Sequence, residues 1–411
     1  MKMPLPRNTS AGLFLSVMLL AFTAGAADSP YETPGPVPAA DLVPKSLLVG
    51  PDYKVAAAAE SDGLRLRYTL TGPEGTEEIG GTQALALRVR EINAMAGLRT
   101  MNRSEEFGRA ALKAGEQKVK SVGDAVRDPV GTVQRLPQGA SKFFGRVGNA
   151  VKGVAEGNVS ASTAAASALG VERKKAELAL KLGVSPFTTD PELRRQLDAT
   201  AQAMAGGALV VSAAGLLLDG GVGTAVSVVN MNETFQRALV ESTPQELMRQ
   251  NRLTLAKLGA DDFDIDAFLG NPAFDPWQKT RITASLSQIG RDPTPLLAQA
   301  ASAVTAEDAL YFAQVARLYQ QHHAGTSNIS EFREVGGLPC ALDESGALVV
   351  AAGTDLVLWT PAVEARAGEI RAAAGADRIL FITDGDVSAK AIEGLGKSGV
   401  SVRALALGPV K

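Results

Sequence analysis

The sequence predicts an α+β protein: a central, mainly α-helical domain with an N-terminal β-β-α unit before it and a small C-terminal α/β unit of βαβ type after it. Three observations carry that prediction. Leu64, Leu66, Tyr68 and Leu70 alternate with polar neighbours, the period-two mark of a half-buried strand. Between 161 and 325 the chain is punctuated by Asp-Pro and Thr-Pro starts and Gly stops, where side-chain oxygens and left-handed glycines satisfy helix ends. Beyond residue 330, apolar runs of strand length alternate with Ala-rich helical patterns, as crossovers between parallel strands require.

In chain order, residues 1–27 read as a signal peptide. Lys2 and Arg7 precede the apolar run "AGLFLSVMLLAFTA", and Ala24 and Ala26 offer a small-residue cleavage site. The run falls short of the roughly 20 residues that cross a bilayer. The expected location is therefore the periplasm or the periplasmic face of a bacterial envelope. Residues 28–50, rich in Pro, form an extended leader outside the core. Residues 51–104 form the β-β-α unit. "DYKVAAAAE" and "GLRLRYTLTG" flank the turn "SDG", "PEGTEEIGG" adds a third strand, and Thr82 caps a helix from about Gln83 towards Leu98.

Residues 105–160 form a basic linker broken by Gly and Pro into amphipathic pieces. Residues 161–325 are the helical domain, with starts at Asp190, Thr243, Asp275, Thr294 and Thr305. Within it, "MAGGALVVSAAGLLLDGGVGTAVSVVNM" holds a Gly-rich apolar hairpin at 205–229. That segment reads as a buried hairpin of a soluble core or as a shallow membrane-inserting one. A full span would place Asp219 near the bilayer centre, at roughly 2.5–3.5 kcal/mol. Residues 330–411 form the α/β unit, with a hairpin at "DESG", helices at "PAVEARAGEIRAAAG" and "VSAKAIEGLGKSG", and strands at "DRILFITDG" and "VSVRALALG".

Composition narrows the functional classes. A net charge of −3 gives no reason to expect nucleic acid. The single cysteine, Cys340, rules out an intramolecular disulfide. At 45% hydrophobic and 21% charged residues, the chain can rely on a packed core instead.

Four motifs fail their structural context. "AIEGLGKS" (391–398) fits a loose phosphate-loop pattern, but it lies inside a predicted helix and ends it. A helix C-terminus repels phosphate. "DDFDID" (261–266) spaces its Asp residues like a calcium loop, but Ala267 and Ala273 replace the required Gly and Glu, so it reads as an acidic helix start. "FITDGD" with "GVSVRALALG" resembles a strand-loop of von Willebrand factor A domains over that stretch alone. The Asp-x-Ser-x-Ser metal motif is missing, so Asp384 and Asp386 read as a turn and helix cap. His322 and His323 are adjacent and cannot both face one metal from a regular helix. No catalytic residue, cofactor or metal site is assigned.

"DPELRRQLDATAQAMAGGALVVSAAGLLLDGGVG", "NETFQRALVESTPQELMRQNRLTLAKLG" and "GNPAFDPWQKTRI" together resemble an uncharacterised family of exported bacterial envelope proteins with no known activity. The resemblance implies a shared architecture and no chemistry. The expected function is thus a non-enzymatic scaffold or binding role, without nucleotide and without a reactive pocket among the helices. An envelope protein or anionic membrane surface is the expected partner. The candidate contact residues are Leu209, Val210, Leu216, Leu217 and Leu218 of the hairpin, with Lys118, Lys120, Lys142, Phe143, Phe144 and Arg146 of the basic linker. The alternative is a periplasmic hydrolase whose dispersed site draws on Asp384, Asp386, Cys340 or His322.

Overall fold

The structure is a computed structural model and describes residues 29–102, 159–205 and 233–405. It is a mixed α+β protein. The signal segment, the basic linker with its six candidate contacts, and nearly all of the apolar hairpin with its five lie outside the described residues.

The first sheet is antiparallel. Its long strand β5 (Leu66–Gly72) pairs along one edge with β6 (Gly75–Gly80) and along the other with β3 (Tyr53–Val55) and β4 (Ala58–Ser61). Two short strands, β1 (Pro36–Pro38) on β4 and β2 (Val49–Gly50) on β3, complete it. Leu66, Tyr68 and Leu70 are fully buried, as the alternation predicts, while Leu64 is exposed because it precedes the strand.

The leader belongs to this unit. Ala39, Val43 and Leu47, the last on α1 (Lys45–Leu48), are buried in its core, against the expectation that 28–50 stands apart. Helix α2 (Thr82–Asn102) covers the sheet with Leu85, Val89, Ile92 and Met95, and the same core takes in Leu178 of α3 (Val159–Leu182) and Leu193 and Leu197 of α4 (Pro191–Ala205).

Helix α5 (Glu233–Glu241) leads into a run of helices: α6 (Pro244–Lys257), α7 (Asp262–Gly270), α8 (Pro276–Ile289), α9 (Thr294–Ala300) and α10 (Ala306–Gly325). Their ends follow the sequence. Asp190 caps α4, Thr243 caps α6, and Asp261 caps α7. Asp275 with Gln278 and Thr305 with Asp308 form reciprocal capping boxes on α8 and α10, and Gly290 ends α8 in the left-handed conformation at φ 68°. Thr294 differs. It is the first residue of α9, and its own N–H and hydroxyl donate to Asp292.

The second sheet runs β13 (Val400–Ala404), β11 (Arg378–Thr383), β9 (Ala347–Ala352), β8 (Leu338–Asp343), β7 (Ile329–Val335). The first three strands are parallel and the last two join antiparallel. The turn between β7 and β8 uses Gly336 and Gly337, both at positive φ, which a two-residue hairpin needs. Alternation sends Ala341 and Val349 to the face under α10. Cys340, Leu348 and Val350 go to the opposite face, under α11 (Pro361–Ala373) and α12 (Ala389–Lys397). Both faces are therefore covered, and β9 reads as a continuous apolar run. Tyr319 of α10 is fully buried against β9, where its hydroxyl donates to the Pro339 carbonyl at 2.6 Å and accepts from the Ala351 N–H at 3.2 Å. A small ribbon of β10 (Leu356–Val357) and β12 (Asp386–Val387) sits at the C-terminal ends of the parallel strands.

Three carboxylates tie the two sheet units together. Asp355 accepts the Leu66 N–H at 2.9 Å and the Thr82 N–H at 2.7 Å, so α2 is capped by a residue far along the chain rather than by Thr82. Glu32 accepts the Trp359 N–H at 2.7 Å and the Ser388 hydroxyl at 2.5 Å. Glu307, in the first turn of α10, accepts the Gly80 N–H at 3.0 Å.

Candidate functional site

Where α2, α8 and α10 meet, a cleft of about 70 Å³ opens between them. Each helix contributes one glutamine and one arginine to its lining: Gln83 and Arg90 from α2, Gln278 and Arg281 from α8, Gln314 and Arg317 from α10. The spacings are i,i+7 on α2 and i,i+3 on the other two, so each pair falls on one helix face. Ser185 and Asp275 line the cleft as well, together with Trp277 and the apolar Leu87, Leu310 and Ala313.

The cations are crowded, and each feels a neighbouring carboxylate: Glu91 for Arg90, Asp275 for Arg281 and Asp384 for Arg317. Burial and the neighbouring Arg281 push the Arg90 guanidinium down to about 10, and burial and Arg281 do the same to Arg317. Burial lowers Arg281 too, with Asp275 pulling the other way. Guanidiniums keep their proton in proteins, so all three are cations at neutral pH. Arg88, on the same helix as Arg90, shows the contrast. It meets Glu77 at 2.7 Å, Asp190 at 2.8 Å, Glu74 at 3.1 Å and Glu91 at 3.5 Å, and these carboxylates outweigh its burial and raise its pKa.

Asp275, the one carboxylate in the lining, is already engaged. Its oxygens accept the Gln278 N–H and the Ser185 hydroxyl, each at 2.6 Å. Burial raises its pKa despite those bonds. Among the described residues, Arg281 makes no ion pair within 4.0 Å, and its guanidinium carbon lies 5.8 Å from the centroid of the Trp277 ring. The Trp277 indole Nε1 is buried with no hydrogen-bond partner.

Behind the cleft stands Asp384, at the C-terminal end of β11. Gln314 donates to one of its oxygens at 3.0 Å and the Thr354 N–H to the other at 3.2 Å. Burial pushes its carboxyl up to about 6, and Asp355 adds to the rise. Gly385 has no room for a side chain: a Cβ there would meet the Thr354 carbonyl at 2.2 Å. The "TDG" stretch is thus a close crossing of two loops. The cleft lies beside the C-terminal ends of parallel strands, the edge at which open α/β sheets take ligands.

The residues considered for a hydrolase are not gathered. His322 is fully buried on α10, and its Nε2 lies 3.0 Å from Asp343 at the end of β8. Asp343 neighbours the start of β9, while Asp384 lies beyond the other end of the sheet, roughly 20 Å away at 3.3 Å per residue. Cys340 is buried on the opposite face from α10, and burial pushes its thiol up to about 12. His323 accepts the Ile329 N–H at 2.9 Å, and Asp386 is exposed. Ser185 is the one hydroxyl nucleophile type lining the cleft, and its proton points to Asp275.

Comparison with known protein families, with curated proteins and with solved structures finds no match in any of the three.

The cleft differs from the sequence expectation that no pocket with converging ionisable groups forms among the helices. A signal was present: "QKTR" at 278–281 and "QVAR" at 314–317 are both Gln-x-x-Arg, and "QALALRVR" at 83–90 repeats the pair one turn wider. Each reads alone as a solvated helix face. Only the packing of three helices turns them towards one another. The phosphate-loop pattern at 391–398 lies in α12 and its C-cap, with Lys397 paired to Glu393 on the surface.

Among the described residues, no helix is long and apolar enough to cross a membrane.

Proposed function

We propose that this protein binds a small, multiply charged anion in the three-arginine cleft, acting as a binding protein rather than a catalyst. One observation carries the reading: Arg281 lines the cleft partly buried with no ion pair among the described residues, and the one lining carboxylate, Asp275, is held by Ser185 and the α8 backbone. Guanidiniums keep their charge at all physiological pH, so they suit recognition and charge stabilisation rather than proton transfer. In a half-buried cleft they act through a lower dielectric than on an open surface.

Calorimetric titration with small dianions at low salt tests the reading. The expected result is saturable one-to-one binding that weakens as ionic strength rises and is lost in Arg281→Gln. Absence of binding at low salt, or binding indifferent to that substitution, sinks it.

Export to the envelope belongs to the same proposal, on the signal-like segment. Contact with an anionic membrane through the basic linker and the apolar hairpin is a separate proposal, on sequence composition alone.

A further inference from the structure

We propose that the anion is a short aliphatic dicarboxylate, with one carboxylate on Arg281 and the other on Arg90; this rests on the anion-binding reading above. Unfilled donors are the first argument. A guanidinium carries its N–H donors in a fixed fork. Among the described residues, those of Arg281 find no acceptor, and those of Arg90 reach only the Gly183 carbonyl, at a long 3.5 Å. The carboxylates that act on the two arginines are engaged elsewhere. Glu91 accepts the Thr188 hydroxyl at 3.2 Å and lies 3.5 Å from Arg88, and Asp275 is held by the Ser185 hydroxyl and the Gln278 N–H. Arg317 takes no part: it has its own partner, and Asp384 acts on it.

Geometry is the second. A carboxylate offers two oxygens in one plane, which a single arginine fork fills. Arg90 comes from α2 and Arg281 from α8, and the two repel each other. One carboxylate fills one fork, and a second joined to it by a short chain fills the other. A glutamine on the same face of each helix adds donors. Gln83 stands on α2, and Gln278 on α8 accepts the Asp275 N–H through its Oε1 at 2.9 Å, which leaves its amide nitrogen to donate.

The walls are the third. Leu87, Leu310 and Ala313 line the cleft beside the arginines and are only partly buried. Inorganic phosphate, with oxygens on every side, leaves that apolar surface unused. The methylenes of a diacid cover it, and each one buried tightens binding by about fourfold. At roughly 10–15 Å³ per water-sized group, a cleft of about 70 Å³ holds about as many heavy atoms as malonate has.

The test is calorimetric titration of the full chain, at low salt, with malonate, succinate, acetate and inorganic phosphate. Arg281→Gln and Arg90→Gln are the variants, each checked for a cooperative melt, so that Arg90→Gln carries the test if Arg281→Gln does not fold. The order of the four probes is read on the wild type and needs neither variant. Malonate or succinate should bind at least about tenfold more tightly than acetate or phosphate, and each variant should weaken the diacid by about tenfold or more. If acetate or phosphate binds as tightly as the better diacid and Arg281→Gln weakens it, the dicarboxylate inference falls and the anion cleft stands. A diacid weakened by Arg281→Gln and indifferent to Arg90→Gln overturns the inference in the same way. If no probe binds, or both variants leave binding unchanged, both readings fall.

Discussion

Gly394 shows how one residue can answer to packing rather than to propensity. It lies inside α12, where alanine would gain about 1 kcal/mol of helix propensity. A Cβ there would meet the Trp359 ring at 2.3 Å. Overpacking typically costs about 1–3 kcal/mol, so Gly394→Ala should lower stability in urea unfolding despite the better helix former. His322 and Asp343 make a second case. Burial lowers the pKa of His322 against the pull of Asp343. Asp343 is itself pushed up by burial but held low overall by the Ser345 hydroxyl, the Ala347 N–H and His322. Both are depressed in the fold, so their stabilisation is present above the unfolded pKa values and is lost as pH falls, beginning near 6.5 for the histidine. Asp343→Ala strands several donors and should cost about 3 kcal/mol by the same unfolding measurement. Asp384 has the opposite sign. Its folded value of about 6 lies above the ordinary aspartate value of 3.8, so its contribution grows as pH falls through 6 and levels off below 4. The stability of wild type relative to Asp384→Asn should therefore rise between pH 7 and 4.

At the scale of elements, most helix ends are local and α2 is not. Asp190, Thr243, Asp261, Asp275 and Thr305 cap their own helices from adjacent sequence, which is why those starts are readable. The first N–H of α2 goes to Asp355, which also holds the Leu66 N–H on β5. Removing that carboxylate frees two donors in different elements. Asp355→Ala should cost about 1–2 kcal/mol and loosen the contact between the two sheet units, read as faster amide exchange at both Leu66 and Thr82. Loss of protection at Thr82 alone would limit Asp355 to a helix cap.

Over the whole molecule, the cleft exists only because three regions meet. Helix α2 belongs with the first sheet, α8 and α10 with the helical run, and α10 covers the second sheet on which Asp384 stands. Crowding three guanidiniums there works against the empty state. The unliganded protein should melt higher as salt rises from low ionic strength, since mobile anions screen the repulsion, and Arg281→Gln should flatten that dependence. An anion that binds only the folded state raises the melting temperature further, by RT ln(1 + [L]/Kd). The hairpin at 205–229 is tested by flotation: if the chain with and without it stays in the soluble fraction with anionic liposomes at low salt, the membrane-contact proposal fails.

The sequence by itself determined what depends on neighbours along the chain. The caps at Asp190, Thr243, Asp275 and Thr305, the glycine stop at Gly290, the alternation through Leu66, Tyr68 and Leu70, and the βαβ order of the C-terminal unit rest on interactions within a few residues, and the structure places them as expected; the caps expected at Thr82 and Thr294 do not form. It misplaced the leader because the burial of Ala39, Val43 and Leu47 depends on a core that their own pattern does not describe. Tertiary structure alone decided the remote cap by Asp355 and the separation of Cys340, His322 and Asp384 over two faces and two ends of one sheet. It also decided the meeting of Arg90, Arg281 and Arg317. A Gln-Arg pair on one helix looks like any solvated face. It becomes half of a site only when helix packing, driven by apolar burial elsewhere, forces like charges into one confined volume.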